Sequence, residues 1–278
     1  MCEISVVMPV YNAEMYVKDA IESVLKQSFG VFEFIIIDDG STDKTCSIIQ
    51  SFDDKRIKLI VNKHDFIDSL NLGLDSAEGK YIARMDADDI MHVDRLKIQY
   101  SIMENETEIT VCGAGIVRFG TNLRPESLVH FSGLIENPLL KFIQRNFLFH
   151  PTAMIRTDFL REHKLKYENY FYAEDFKFWT EIAKMGGQFY IDNQPLLYYR
   201  ISDNQVSKQK SEEQKATTEI IITEIIDYLI EQNKSEYSEL SMTFSNLCQL
   251  REKGLITKYE ISVFFQNLFL KNKEKFVL

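Results

Sequence analysis

The first third of the sequence alternates between two hydrophobic periods, and this alternation constrains the fold more than any other feature. Continuous apolar runs, typical of strands buried on both faces, are "ISVVMPV", "FEFIIID", "RIKLIV" and "KYIARMD". Apolar residues at helical spacing lie between them, most clearly from Val17 to Leu25 and from Phe66 to Ala77. Strands that alternate with helices predict an α/β fold with a mostly parallel, Rossmann-like sheet flanked by helices.

Three of these strands end in polar clusters. "PVYN" closes the first strand, "DDGSTD" follows the second and "DADD" follows the fourth. The carboxyl ends of parallel strands meet at one edge of a sheet, where such folds bind their ligands. We therefore expect the acids of these clusters to converge on one rim.

The cluster "DADD" has a metal-binding and a structural interpretation. If the chain turns here, Asp86 and Asp88 can reach one hard cation such as Mg²⁺ or Mn²⁺, with phosphate oxygens completing its shell. Alternatively, Asp88 or Asp89 caps the following helix. The second acidic cluster on the same rim favours the metal-binding interpretation.

The cluster "DDGSTD" is open to two interpretations. Asp39, Ser41, Thr42 and Asp43 are good turn and cap residues, so one of them is expected to cap the next helix. A rim carboxylate such as Asp38 or Asp39 can instead accept the imide N–H of uracil, or the N1–H and 2-amino group of guanine. The residues alone do not decide between these roles.

Two local expectations concern single segments. Asn12 precedes the first helix and is predicted to cap it. The periodic pattern loosens after Asp89, and the segment from Thr121 to Asn137 is predicted to form a loop region.

The composition excludes some classes of protein. A net charge of −10 argues against a general nucleic-acid binder, which would present a basic face. The four cysteines are scattered without a CxxC pair, which favours a reducing compartment. With no signal-peptide pattern and no long apolar run, we expect a cytoplasmic protein.

The chain changes character near residue 205, where proline disappears and glycine nearly so. We predict a main domain over residues 1–204 and a helical C-terminal extension over residues 205–278. Its end, "ISVFFQNLFLKNKEKFVL", combines an apolar face with lysines. Such a helix either packs on the protein or lies peripherally on the inner face of an anionic membrane.

Five motifs together resemble the family 2 glycosyltransferases, which have a GT-A fold and build bacterial surface polysaccharides. They are "SVVMPVYNAEMYVKDAIESVLKQSF", "FIIIDDGSTDKT", "GKYIARMDADDI", "HPTAMIR" and "AEDFKFW". They cover roughly residues 4 to 205 in the family's order and spacing. The resemblance implies a nucleotide-binding half over residues 1–112 and an acceptor-side half over residues 113–204.

The resemblance implies roles for the rim residues. Asp39 is similar to the family's base-contacting acid, with Tyr11 against the base and Pro9 and Val10 lining it. Asp86 and Asp88 resemble the DXD pair: Asp86 would face the ribose or the metal, and Asp88 would ligate the metal that bridges the diphosphate.

The resemblance also implies catalytic and acceptor-side residues. Asp175 looks like the catalytic base, with Glu174 beside it in a supporting role, while the structural alternative for Asp175 is a charge at a helix N-terminus. His150 is expected near the acceptor. Trp179 is either core or a platform for the acceptor sugar. One departure is Ser202, which stands where the family often has a metal-binding histidine.

Taken together, the resemblance implies an inverting glycosyltransferase that uses Mn²⁺ or Mg²⁺ to move a sugar from a nucleotide-sugar, a UDP-sugar, to a glycan or lipid-linked acceptor. One rival is a sugar-phosphate nucleotidyltransferase, which would carry a glycine-rich basic loop after its first strand. That place holds "PVYNAEMYVK". A second rival is a non-catalytic sugar-nucleotide or glycan-binding subunit, and Ser202 is the one feature that favours it.

Overall fold

A computed structural model describes residues 2–120, 123–202 and 210–278 of the chain. The chain divides into two compact units. The first unit comprises Met1–Ile135, Leu148–Asn169 and Met185–Gln205. The second unit comprises Glu136–Phe147, Tyr170–Lys184 and Val206–Leu278.

The first unit is built on one sheet with strands β1 Ile4–Val10, β2 Phe32–Asp38, β3 Ile57–Val61, β4 Tyr81–Arg84, β5 Ile90–Met91, β6 Ile109–Gly120, β7 Leu123–Leu128, β8 Gly133–Leu134, β9 Met154–Arg156 and β10 Gln188–Ile201. The helices of the two units, in chain order, are α1 Val17–Leu25, α2 Thr45–Gln50, α3 Phe66–Ser76, α4 Arg95–Asn105, α5 Pro138–Gln144, α6 Thr157–Glu162, α7 Glu174–Lys184, α8 Ser211–Asn233, α9 Glu239–Glu252 and α10 Lys258–Lys271. Helices α1–α4 and α6 belong to the first unit, and the others to the second.

The strands follow the order β3-β2-β1-β4-β9-β6-β10-β5, with β7 on β6 and β8 on β10. Strands β3, β2, β1 and β4 are parallel, as are β6 and β10. Strands β1 and β2 are buried along their whole length, because α3 packs on both. The predicted α/β class with a mostly parallel sheet is confirmed.

A buried polar network supports the sheet below the "DADD" segment. Arg95 is fully buried and donates hydrogen bonds to the carbonyl oxygens of Arg84 (2.9 Å) and Ala153 (3.3 Å). The side chain of Gln99 accepts from Arg95 and donates to the carbonyl oxygens of Cys112 and Thr152, both at 2.8 Å. These carbonyls would be costly to bury without donors, so the network stabilises the end of β4.

The predicted loop region between residues 121 and 137 is wrong in part. Strand β7 pairs with β6 and β8 pairs with β10, while residues 121 and 122 lie outside the described residues. Strand β7, "LRPESL", is almost wholly exposed and contains a proline. An exposed strand with no alternation of apolar residues and a proline gives little sequence signal.

The second unit is helical. Helix α8 buries Ile225 and Leu229, and α10 buries Phe265 and Phe269, whereas Phe264 remains exposed. A capping box between Thr257 and Glu260 fixes the start of α10. Most of the large apolar residues of α10 therefore pack inside the unit, as the packing alternative for this helix predicts. No described helix is long and apolar enough to cross a membrane.

The predicted domain division differs from these units in one respect. Residues 136–147 and 170–184, which contain α5 and α7, group with the C-terminal helices rather than with the sheet. The predicted boundary between residues 204 and 205 lies outside the described residues. The assignment of nucleotide-side and acceptor-side halves remains a prediction.

Candidate active site

Residues Asp86–Asp89, here called the acidic turn, follow β4 at its carboxyl end. The amide of Asp89 donates to the carbonyl oxygen of Asp86 at 3.4 Å, so the chain turns as a metal site requires. One carboxylate oxygen each of Asp86, Asp88 and Asp89 lies within 4.8 Å of the other two. Asp89 therefore joins the two acids predicted from the sequence.

Two arginines hold the acidic turn. A guanidinium nitrogen of Arg84 lies 2.7 Å from Asp86. Arg200, at the end of β10, donates through its side chain to the carbonyl oxygen of Asp88 (2.7 Å) and through its amide to the Asp89 carboxylate (2.8 Å). Neither arginine is predicted from the sequence, although "YYR" in the late strand is a signal that points to Arg200.

The guanidinium of Arg200 is itself fixed between two rings. Its carbon lies 4.5 Å from the ring centre of Tyr16 and 4.6 Å from that of Phe119. Cation–π contacts of this kind hold an arginine in a defined orientation. Ser202 follows β10 two residues later and is half-buried.

The three carboxylates repel one another in a partly dry setting. Burial, and then the neighbouring Asp86, raise the pKa of Asp88 to about 6. Burial, followed by Asp86 and Asp88, raises the pKa of Asp89 well above its usual range. Both shifts show that negative charge is unfavourable here without a compensating cation.

The donor set fits a divalent metal ion. In the described part of the chain, the second carboxylate oxygen of Asp89 is buried and receives no hydrogen bond. An unsatisfied buried oxygen beside two further carboxylates is the ligand chemistry that Mg²⁺ and Mn²⁺ take. Asp86, Asp88 and Asp89 are therefore the residues that can hold the ion.

The predicted nucleobase residues lie at the ends of β1 and β2. Pro9 and Val10 are the last residues of β1 and are buried, while Tyr11 directly follows and is 45% exposed. Val10 accepts a hydrogen bond from the amide of Asp39 at 2.8 Å. The structure thus brings Tyr11 and Asp39 to the same rim, and only Tyr11 offers a broad exposed side chain.

The Asp39 carboxylate is almost fully buried. One of its oxygens accepts from the amide of Asp65 (2.8 Å) and from the hydroxyl of Ser69 (2.7 Å). These contacts tie β2 to the start of α3. Asp39 therefore has a structural role in addition to any contact with a base, so both interpretations from the sequence have support.

The rest of "DDGSTD" links the loop after β2 to the loop after β1. The side chains of Ser41, Asp43 and Thr45 accept hydrogen bonds from backbone amides of the first loop, and Asn12 accepts from the amide of Thr42 at 2.8 Å. Asp43 also accepts from the amide of Thr45 at 2.9 Å, at the start of α2.

Two further sequence-based interpretations change accordingly. Asn12 does not cap α1, because Tyr16 occupies the cap position and Asn12 bonds across to the other loop. Asp38 is buried and accepts from the amide of Ser41 at 3.0 Å. Its role within the described residues is to close the turn.

His150 begins a short 3₁₀ helix, His150–Thr152, in the first unit. Its ring nitrogen lies 2.8 Å from the hydroxyl of Tyr167. Burial, and then the charge of Arg84, lower the pKa of His150 well below its usual value. The imidazole is therefore neutral at neutral pH, which suits hydrogen bonding rather than charge pairing.

The predicted catalytic base belongs to the second unit. Glu174 and Asp175 occupy the first turn of α7. The Asp175 carboxylate accepts from the side chain of Asn146 at 3.0 Å and from the amide of Phe176 at 2.7 Å. Its side chain is half-buried. The position matches both the catalytic and the helix-terminal interpretations of the sequence.

Trp179, four residues further along α7, is fully buried. Its ring centre lies 5.3 Å from that of Phe178. A ring without exposed surface offers no platform for a sugar, so the core interpretation applies and the acceptor-stacking alternative does not.

Comparison with known proteins places this geometry in context. The family model described as "Glycosyl transferase family 2" matches residues 5–164. An uncharacterized glycosyltransferase of Haemophilus influenzae is 36% identical over 250 residues, which cover 82% of this chain and 74% of that protein. A putative teichuronic acid biosynthesis glycosyltransferase of Bacillus subtilis is 31% identical over 225 residues, covering 77% and 85%.

Solved structures share the fold. Staphylococcus aureus TarS, residues 1–349 in complex with UDP, superposes with a TM-score of 0.62 at 22% identity, covering 86% of this chain and 75% of that one. The mannosyltransferase PcManGT of Pyrobaculum calidifontis, in complex with GDP-Man and Mn²⁺, gives a TM-score of 0.58 at 15% identity, covering 98% and 86%.

The raised pKa of Asp88 predicts a pH-dependent cost. Since the folded state binds this proton more tightly than the unfolded state, stability falls as pH rises from about 4 through 6. Asp88→Asn removes the charge, so without metal it should gain about 1–3 kcal/mol over the wild type between pH 4.5 and pH 7.5. Urea denaturation in EDTA at the two pH values measures this gain.

Asp53→Asn is the control, because Asp53 is exposed outside the cluster. Its difference from the wild type should not change with pH. An equal difference between wild type and Asp88→Asn at both pH values would contradict the repulsion described for the acidic turn.

Proposed function

The chain belongs to glycosyl transferase family 2 and is a glycosyltransferase, and from that premise we propose that it transfers a sugar with inversion from a UDP-sugar to a hydroxyl of a glycan or lipid-linked acceptor, using a divalent cation. The observation that carries the proposal is the acidic turn, with three converging carboxylates and one buried oxygen of Asp89 that receives no hydrogen bond in the described part of the chain. It lies on the rim that also carries Tyr11 and Asp39.

We assign the nucleoside to the loops after β1 and β2. Tyr11 offers an aromatic face, and Asp39 has one carboxylate oxygen that the contacts with Asp65 and Ser69 leave available. A carboxylate acceptor beside a ring suits the imide N–H of uracil. The UDP bound in the related TarS structure supports this choice of nucleotide.

We assign the cation to Asp86, Asp88 and Asp89. When bound there, Mn²⁺ or Mg²⁺ would neutralise the charge that develops on the leaving diphosphate. Arg84 and Arg200 act as positioning residues, since each contacts the acidic turn and holds the carboxylates in place. The Mn²⁺ in the PcManGT structure supports a metal in this fold.

We assign the general base to Asp175, which would take the proton of the acceptor hydroxyl while that oxygen attacks the anomeric carbon. Asn146 donates to one of its oxygens at 3.0 Å and fixes the carboxylate. Glu174 supports it from the same helical turn, and His150 serves the acceptor side. One protein carboxylate suffices because a nucleoside diphosphate leaves readily, whereas glycosidases need a second, protonated acid.

We further propose that the acceptor is a surface polysaccharide or glycolipid assembled on the cytoplasmic face of the membrane. The name of the Bacillus subtilis relative, which refers to teichuronic acid biosynthesis, supports a polysaccharide acceptor. Lysines near the end of α10 would supply any peripheral contact with anionic lipid.

Turnover of UDP-, GDP- and dTDP-sugars, measured with Mn²⁺ and with EDTA, tests the proposal. The expected result is release of UDP from a UDP-sugar with Mn²⁺ and none with EDTA. Formation of a sugar 1-phosphate and a nucleoside triphosphate with pyrophosphate would indicate a nucleotidyltransferase. Metal-dependent binding without turnover of any donor would indicate a binding subunit, and absence of both would refute the proposal.

Replacing the proposed base provides a separate prediction. Asp175→Asn should lower kcat by about 10²–10⁴-fold, because the amide cannot take a proton, while the Kd for UDP stays nearly unchanged. Calorimetry with UDP and Mn²⁺, beside the donor assay, separates the two effects.

Asp158→Asn is a matched control, since Asp158 also lies in the first turn of a helix, α6, and is exposed. It should retain full activity. Lost UDP binding in Asp175→Asn, or equal losses of activity in both variants, would show that the role of Asp175 is misassigned.

A further inference from the structure

The exposed ring of Tyr11 is already covered on one side. The imidazole of His64 stacks on it with 4.1 Å between ring centres and an interplanar angle of 24°. Stacking at this distance is the arrangement expected between an aromatic side chain and a bound base. A side chain of the protein therefore occupies a Tyr11 face that a nucleobase would use.

The same imidazole covers the remaining oxygen of Asp39. Its Nδ1 lies 3.2 Å from the second carboxylate oxygen of Asp39 and 3.2 Å from the carbonyl oxygen of that residue. Both neighbours are acceptors, so Nδ1 carries the proton and donates. With His64 in place, the Asp39 side chain is only 3% exposed, and no base can reach it.

His64 is well placed to move. Its own side chain is 63% exposed, so its hold on the rim depends on its interactions with Tyr11 and Asp39. Its backbone has a φ of +35°, a region that favours glycine. Gly40, with a φ of +78°, allows the close approach, because a Cβ there would lie 3.2 Å from the amide nitrogen of His64.

We propose that His64 is a displaceable occupant of the nucleobase pocket and sets the affinity for the nucleotide. Its imidazole offers Tyr11 a planar ring and offers Asp39 an N–H donor, which are the two features that a uracil base presents. UDP binding moves the imidazole out, and breaking the stack on Tyr11 and the hydrogen bond to Asp39 reduces the net affinity for UDP. The inference rests on the proposed function, since it takes Tyr11 and Asp39 as the base site.

The displacement also makes the pocket selective. A ligand replaces His64 at no net loss only if it restores both the stack on Tyr11 and the hydrogen bond to Asp39. A base that stacks but lacks an N–H in the right place leaves the buried Asp39 oxygen without a donor, which is costly. His64 therefore acts as a specificity-determining residue for the donor nucleotide.

His64→Gly tests the proposal, because glycine removes the ring and suits the left-handed backbone. UDP binding is measured by calorimetry with Mn²⁺. The variant should bind UDP about three- to tenfold tighter than the wild type, because UDP no longer has to break an aromatic stack and a hydrogen bond of the protein. The gain should be smaller for dCDP, whose base lacks the imide N–H.

Lys164→Gly is the matched control. Lys164 is likewise exposed with a left-handed backbone, φ +54°, but it follows α6, which starts beside the amino end of β4 at the edge opposite the acidic turn. It should bind UDP as the wild type does. Unchanged or weaker UDP binding by His64→Gly would overturn the inference and would make His64 a fixed wall of the pocket.

A second readout follows the imidazole directly. In NMR spectra of the wild type, the carbon-bound ring protons of His64 are shielded by the Tyr11 ring, and UDP with Mg²⁺ should move them downfield as the stack breaks. Ring protons that stay in place while UDP binds would overturn the displacement. If neither wild type nor His64→Gly binds any nucleotide with metal, the proposed function fails together with the inference.

Discussion

The site depends on holding three like charges together. Asp86, Asp88 and Asp89 would separate if the chain were free, because their mutual repulsion and burial raise the pKa values of Asp88 and Asp89. The turn after β4 and the contacts from Arg84 and Arg200 keep them within reach of one ion. This strained charge arrangement has a physical purpose only if a cation completes it.

The sheet makes this arrangement possible through its order. Strand β10 is the source of Arg200 and pairs with β5, which directly follows the acidic turn. The last strand of the first unit thus returns to brace a turn that lies over 100 residues earlier in the chain. The loops after β1 and β2 are bound to each other in the same way, through Asn12, Ser41 and Asp43. A rim built from mutually bonded loops is rigid enough to position a nucleotide.

Local sequence signals predicted the elements that local physics determines. Continuous apolar runs identified the first four strands, and the polar residues after them identified the rim. Strand β7 was missed because it is exposed and contains a proline. Arg200 and His64 were not assigned roles because each acts through a contact distant in sequence or through a backbone conformation that letters do not show. Asp39 shows the same limit: its bonds to Asp65 and Ser69 became visible only in the fold.

The most direct test of the metal and nucleotide assignments is anomalous diffraction from crystals grown with UDP and Mn²⁺. The expected result is one manganese peak within coordinating distance of Asp88 and of a diphosphate oxygen, with the uracil beside Tyr11 and its imide facing Asp39. An ordered UDP with no ion at the acidic turn, or a manganese ion bound elsewhere in the protein, would contradict these assignments.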